Sequence, residues 1–165
     1  MKLNLREIIE IPGGSVPFAQ ELDTALLDFP SVRAYTAPIT AEGKVVNTAG
    51  ILTLQGKLHA EMLCVCDRCG AEFPRTVDLD LHADITADAQ DDDPEVFTLD
   101  GDWLDVDEVL STCFILSMDT KCLCKPDCAG LCDRCGANLN LGPCRCQKPR
   151  DPRTVSYTHL RAHET

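Results

Sequence analysis

Three absences narrow what this 165-residue chain can be. No apolar run approaches the roughly 18 residues of a membrane-spanning helix, so no membrane segment is expected. The opening MKLNLREIIE interleaves charges with leucine and isoleucine and leads into no apolar stretch, so no secretory signal is read there. No P-loop, GxGxxG, GxSxG or paired Ser/His/Asp arrangement occurs, which removes the usual signatures of phosphate, dinucleotide and acyl-transfer chemistry. The expectation is a cytoplasmic protein with reduced thiols, no small-molecule substrate and no enzymatic activity.

What the chain does have is cysteine, eleven in all. In a reducing compartment, dense cysteine points to metal before disulfides. Six fall in CKPDCAGLCDRCGANLNLGPCRC: Cys124, Cys128, Cys132, Cys135, Cys144 and Cys146. A shorter set, Cys66 and Cys69, lies upstream, and both sets contain Cys-Asp-Arg-Cys-Gly. Two thiolates three positions apart can converge on one tetrahedral ion. The glycine that follows tolerates the positive φ that turns backbone N–H groups toward sulfur. These eight cysteines are the candidate ligands of one or two structural zinc ions.

Their partition stays open. Cys132 and Cys135 could join Cys144 and Cys146, leaving Cys124 and Cys128 to meet Cys66 and Cys69. Alternatively, Cys124, Cys128, Cys132 and Cys135 could close one site alone. Pro126 and Gly130 exclude a helix there, so the segment is read as turns held by metal. Structural zinc can contribute roughly 10–16 kcal/mol of apparent folding energy, so losing one ligand should melt the segment. A catalytic zinc usually has His or carboxylate ligands and an open position, which this all-cysteine set does not suggest. His59 and His82 read as ordinary strand histidines. A thioredoxin-like C-x-x-C sits at a helix start, whereas Cys66–Cys69 lies between strand-like runs.

Charge is uneven. Residues 1–120 carry 7 basic and 23 acidic side chains; residues 121–165 carry 8 basic and 4 acidic. An acidic body does not grip phosphate backbones by bulk charge, although the basic C-terminal part could touch RNA. Each zinc bound by four thiolates would remove about two units from that surplus.

The length allows one domain with a core and a small appendage. Residues 2–9 read as a first strand. Phe18, Leu22, Ala25 and Leu26 recur at helical spacing, predicting a short helix over 17–28. Residues 44–66 turn to a β pattern, with Gly50 and Gly56 suggesting bulges or sharp bends. From Thr76 to Thr86, Val77, Leu79, Leu81, Ala83 and Ile85 alternate with Thr76, Asp78, Asp80, His82 and Asp84. The first C-x-x-C should therefore clip a hairpin end. Residues 87–95 form an acidic loop. Asp105 and Glu108 read as a capping box opening a helix over 105–118. Cys64 and Cys113 read as buried free thiols, and Cys122 is ambiguous. The fold class is α+β: a β-rich body over 1–120 (antiparallel sheet or partial barrel) with one or two helices, then a zinc-clipped segment over 121–153. Residues 154–165, with His159 and His163, match no core pattern and read as a non-native tail.

The order of these features carries a resemblance. CDRC is followed by Phe73, the acidic loop, and Trp103-Leu104-Asp105-Val106. Then come Leu123-Cys124-Lys125-Pro126-Asp127-Cys128, Gly130-Leu131-Cys132, Cys135-Gly136, Asn138-Leu139-Asn140, Cys144-x-Cys146 and Asp151-Pro152-Arg153. Residues 1–153 resemble the YceD family, the large ribosomal RNA subunit accumulation proteins of bacteria and plastids, and in particular a cysteine-rich branch of Gram-positive bacteria. The resemblance implies a non-enzymatic factor for 23S ribosomal RNA accumulation and large-subunit biogenesis. Its partners would be a ribosomal protein or pre-ribosomal particle. Relatives usually carry a proline near Cys122 and continue after Asp-Pro-Arg into a leucine-rich helix. The alternatives are a zinc-stabilised protein–protein interaction module unrelated to ribosomes, or a C-x-x-C thiol oxidoreductase.

Overall fold

The computed structural model describes residues 1–86 and 96–146; the acidic loop 87–95 and the stretch 147–165 lie outside the described residues. The spine is a long hairpin of β5 (Ile51–Val65) and β6 (Glu72–Thr86), in continuous antiparallel register from Leu52↔Ile85 to Val65↔Glu72. Strict alternation specifies it. On β6, Leu81, Ala83 and Ile85 are buried and Val77 and Leu79 pack partly against the core, while Asp78, Asp80, His82 and Asp84 face solvent. Around this hairpin the sheet runs β2 (Ser15–Leu22), β4 (Ile39–Thr48), β5, β6, β7 (Val96–Thr98), with β3 (Val32–Tyr35) also paired to β5. Only β6–β7 is parallel among these pairings.

A second, two-stranded sheet pairs β1 (Lys2–Asn4) with β8 (Trp103–Asp105), directly ahead of helix α2 (Val106–Ser117). The helix buries Val106, Val109, Leu110 and Phe114 in the sheet's core, where Phe114 meets Phe29 edge to face at 5.8 Å. The α+β expectation thus holds, with two α-helices among the described residues and a mixed sheet.

Four local expectations are corrected. The helix over 17–28 is instead strand β2 followed by a 3-10 turn at Thr24–Leu26. Phe18 and Leu22 are four apart, a spacing that suits either period, and pairing with β4 decides for the strand. The strand over 2–9 ends at Asn4; its side chain accepts from Arg6 N at 3.0 Å, and one helical turn, α1 (Arg6–Ile9), follows. Gly56 marks no bulge. It pairs directly with Gly43 in unbroken register. Gly50 does turn, forming with Ala49 a two-residue loop in which both φ are positive (95° and 54°). Asp105 is the N-cap of α2 as expected, with Glu108 third in the helix, but the capping-box bond differs: Asp105 accepts from Asp107 N at 3.2 Å, not from Glu108 N.

Candidate metal centres

The turn closing the β5–β6 hairpin is the hexapeptide Cys66-Asp-Arg-Cys-Gly-Ala71. Cys66 N donates to Ala71 O at 2.9 Å, Gly70 N donates to Cys66 O at 2.8 Å, and Gly70 has φ +68°. The same six residues recur as Cys132–Ala137 with the same bonds: Cys132 N to Ala137 O at 2.8 Å and Gly136 N to Cys132 O at 2.9 Å, with Gly136 at φ +69°. The shared geometry follows from the shared sequence. A residue with a Cβ would be strained at either glycine.

Each turn meets a second pair of thiols. Cys66, Cys69, Cys124 and Cys128 converge with all four sulfurs within 4.8 Å of one another, as do Cys132, Cys135, Cys144 and Cys146. In the first group Cys66 Sγ lies 3.8 Å from Cys128 Sγ, and Cys69 Sγ lies 3.7 Å from Cys124 Sγ. Metal–sulfur bonds of about 2.3 Å in a tetrahedron put the sulfurs about 3.8 Å apart, so this quartet already has the dimensions of a four-thiolate cage. In the second group Cys132 and Cys144 stand 3.4 Å apart. Each cluster could hold a metal ion, and of the two arrangements open from sequence, the one that splits the downstream cysteines between sites is the one the chain adopts.

Tertiary contacts bring the distant cysteines to the hairpin end. Asp67 fixes the incoming chain: Cys122 N donates to its carboxylate at 2.6 Å, and Asp67 N donates to Cys122 O at 2.8 Å. Ser31 Oγ donates to the other carboxylate oxygen at 3.1 Å. Arg68 Nη1 donates to Cys128 O at 2.9 Å, and Leu131 N donates to Arg68 O at 3.1 Å. Arg75 reaches Asp119 at 2.5 Å. Sequence reasoning missed these roles for Asp67 and Arg68, although their recurrence in both hexapeptides was a visible signal. Cys122 belongs to neither quartet. It is buried beside Arg75, whose Nη1 lies 3.8 Å from its sulfur, and in the same apolar cluster as fully buried Cys64. Cys113, expected to be buried, is only partly so, packing against the core with some exposure.

The sulfur electrostatics are polarised within each quartet. Burial pushes the Cys66 thiol up, but backbone amides of Cys124, Arg68 and Cys69 outweigh it and bring the value down to about 6. Amides of Arg134 and Cys135 bring Cys132 down to about 7. The Asn140 side chain lowers Cys128, helped by the Gly130 amide. Conversely, burial and neighbouring sulfurs push Cys124 up to about 12, and Cys135 with burial pushes Cys146 up to about 12. Four thiolates this close repel, and only some can ionise together. A divalent cation removes that conflict, so the donor set fits a thiophilic metal. His59 and His82 are in neither cluster.

Comparison with known proteins follows the same stretch. A family model described as large ribosomal RNA subunit accumulation protein YceD matches residues 54–161. That span contains both quartets and extends eight residues into 154–165. A maize protein (Zea mays) called large ribosomal RNA subunit accumulation protein YCED homolog 1, chloroplastic, is 24% identical over 152 residues, covering 72% of this chain and 52% of that protein. The chain therefore spans about half the length of this curated relative. No solved structure matches.

Proposed function

The chain belongs to the YceD family of large ribosomal RNA subunit accumulation proteins, and from that membership we propose that it is a non-enzymatic factor supporting 23S ribosomal RNA accumulation and large-subunit biogenesis. The observation that carries the reading is the family match running from near the start of β5 through both thiol quartets. The family is named for accumulation, not for a reaction.

In this reading each quartet holds one structural zinc: Cys66, Cys69, Cys124 and Cys128 the first, Cys132, Cys135, Cys144 and Cys146 the second. Residues 1–120 form the body and 121–153 the metal-binding segment. Four sulfurs per site leave no open coordination position, as in structural zinc and unlike catalytic zinc. The lowered values at Cys66 and Cys132, the leading cysteines of the two C-x-x-C turns, favour a thiol oxidoreductase. Against it, Cys66 is 2% exposed and three further sulfurs crowd it at a hairpin turn, an arrangement suited to holding an ion.

Charge directs the choice of partner. A site with four thiolates and one divalent ion carries about −2, so two sites cancel the surplus of 8 basic over 4 acidic residues in 121–165. Little positive field is left for RNA, while the sheet's outer face shows Glu21, Glu42, Asp78 and Asp80 to solvent. A basic ribosomal protein on a pre-ribosomal particle suits such a surface better than bare RNA. Depleting the protein should lower the ratio of large-subunit to small-subunit ribosomal RNA. A normal ratio would reject this role and leave the zinc-stabilised interaction module. Elemental analysis of the purified chain should find two zinc ions, and freely alkylated Cys66 would restore the oxidoreductase.

A further inference from the structure

Asn140 lies in the loop between Cys135 and Cys144, within the second quartet's own segment, yet it reaches the first. Its Nδ2 donates to Cys128 Sγ at 3.3 Å and to Asn138 Oδ1 at 2.9 Å, and its Oδ1 accepts from Ala129 N at 2.9 Å. Both amide hydrogens and the carbonyl are therefore used. The amide cannot be turned round, because that would set its NH₂ against the Ala129 N–H and its carbonyl oxygen against a sulfur lone pair. Asn138 Oδ1 also accepts Asn140 N at 3.0 Å, fixing the backbone that presents the side chain.

The same loop is tied to the first centre a second time. Leu139 N donates to Gly130 O at 2.9 Å, and Leu131 N, one residue on, donates to Arg68 O in the first hexapeptide. Gly130 is pressed against that turn: a Cβ there would lie 3.1 Å from Arg68 O. The loop that Cys135 and Cys144 anchor thus lies directly over the ligand Cys128.

On the reading that both quartets hold metal, we propose that Asn140 is a positioning residue that couples the two centres. Closing the second site orders the loop, the ordered loop delivers the amide to Cys128 Sγ, and the first ion is then held more tightly. Partners that hydrogen-bond metal ligands typically change metal affinity by about 10–100-fold. By linkage, filling the first site favours the second by the same factor. The Asn138-Leu139-Asn140 motif is thereby explained as a latch between sites that share no ligand.

The test uses the full chain loaded with cadmium and followed by cadmium NMR while a chelator strips the metal. Two resonances are expected, assigned by their loss in Cys69→Ser and Cys135→Ser. Asn140→Ala should shift the first-site resonance and speed its loss about 10–100-fold. Cys135→Ser should speed that loss by a similar factor, and the double variant should be no faster than the worse single one. Asn140→Asp keeps the shape and the bond from Ala129 N while removing the donor to sulfur, so it should reproduce the loss even if Ala disturbs the loop. Unchanged first-site release in both Asn140 variants, or additive effects with Cys135→Ser, would overturn the coupling and leave the two-metal reading standing. A wild-type chain giving fewer than two resonances would overturn both.

Discussion

At the scale of single residues, Asn47 holds more of the fold together than its place in a turn-proximal sequence suggests. Only 1% exposed, it donates through Nδ2 to Ile8 O at 2.7 Å and Ile9 O at 2.9 Å and accepts from Gly50 N at 2.8 Å. One side chain thus ends α1 and shapes the β4–β5 loop. Asn47→Ala removes all three bonds, of which only the one to Ile8 O is fully buried, and should cost about 1–3 kcal/mol in chemical denaturation. A change under 0.5 kcal/mol, the range of ordinary surface substitutions, would show that water replaces these bonds at no cost. His59 makes a different prediction. Its Nδ1 is 2.6 Å from Asp78 and its Nε2 3.6 Å from Glu61, and the bond to Asp78 raises it above its ordinary 6.5. A raised value stabilises the folded state fully below 6.5, and this contribution fades as pH climbs through the folded value. Histidine NMR should show His59 titrating above 6.5, and Asp78→Asn should move that titration down.

Elements are where sequence pattern and tertiary context divide the work. Gly43 and Gly56 face each other across β4 and β5, and a Cβ on either would come within 2.2 or 2.3 Å of the opposite strand's carbonyl oxygen. These are backbone atoms, so the strands themselves must move. Gly56→Ala should therefore cost about 1–3 kcal/mol or more and perturb amide shifts along both strands. Strands that keep their shifts would mean that the close approach is not required. Sequence suggested a bend at Gly56 but could not show that its partner is another glycine. Hairpin β5–β6 was legible because alternation over a 15-residue strand admits one period. Strand β2 was not, because its two best apolar positions fit either period, and Pro17 is tolerated because β2 pairs on one side only. The single turn α1 was invisible because distant Asn47 holds it. For the candidate site, spacing picked out all eight clustered cysteines. Their partition depended on Asp67 gripping Cys122, a contact that local pattern cannot reveal.

The whole molecule joins two regions stabilised by different physics. The sheet and α2 share one apolar core built from every layer of the body. The described segment 121–146 has no helix or strand, only turns and one bridge, Leu131↔Asn138. Its buried residues are Cys122, Cys128, Gly130 and Cys132, while Leu141 is 88% exposed. That is too little apolar burial to offset roughly 1–2 kcal/mol of backbone entropy per ordered residue. A metal ion in each quartet would supply the difference, and the roughly 10–16 kcal/mol attributed to a structural zinc per site is of the right size. Stripping the metal under reducing conditions should therefore release 121–146 while the body stays folded. Hydrogen exchange should show protection lost at Cys128, Leu131, Cys132 and Leu139, whose amides are bonded only within the segment or to the first turn. Protection in mid-β5 and β6 should persist, with fraying confined to the hairpin end near Cys66. If 121–146 kept its protection without metal, the thiols would be packing as a small apolar core, and zinc would have no structural role to fill.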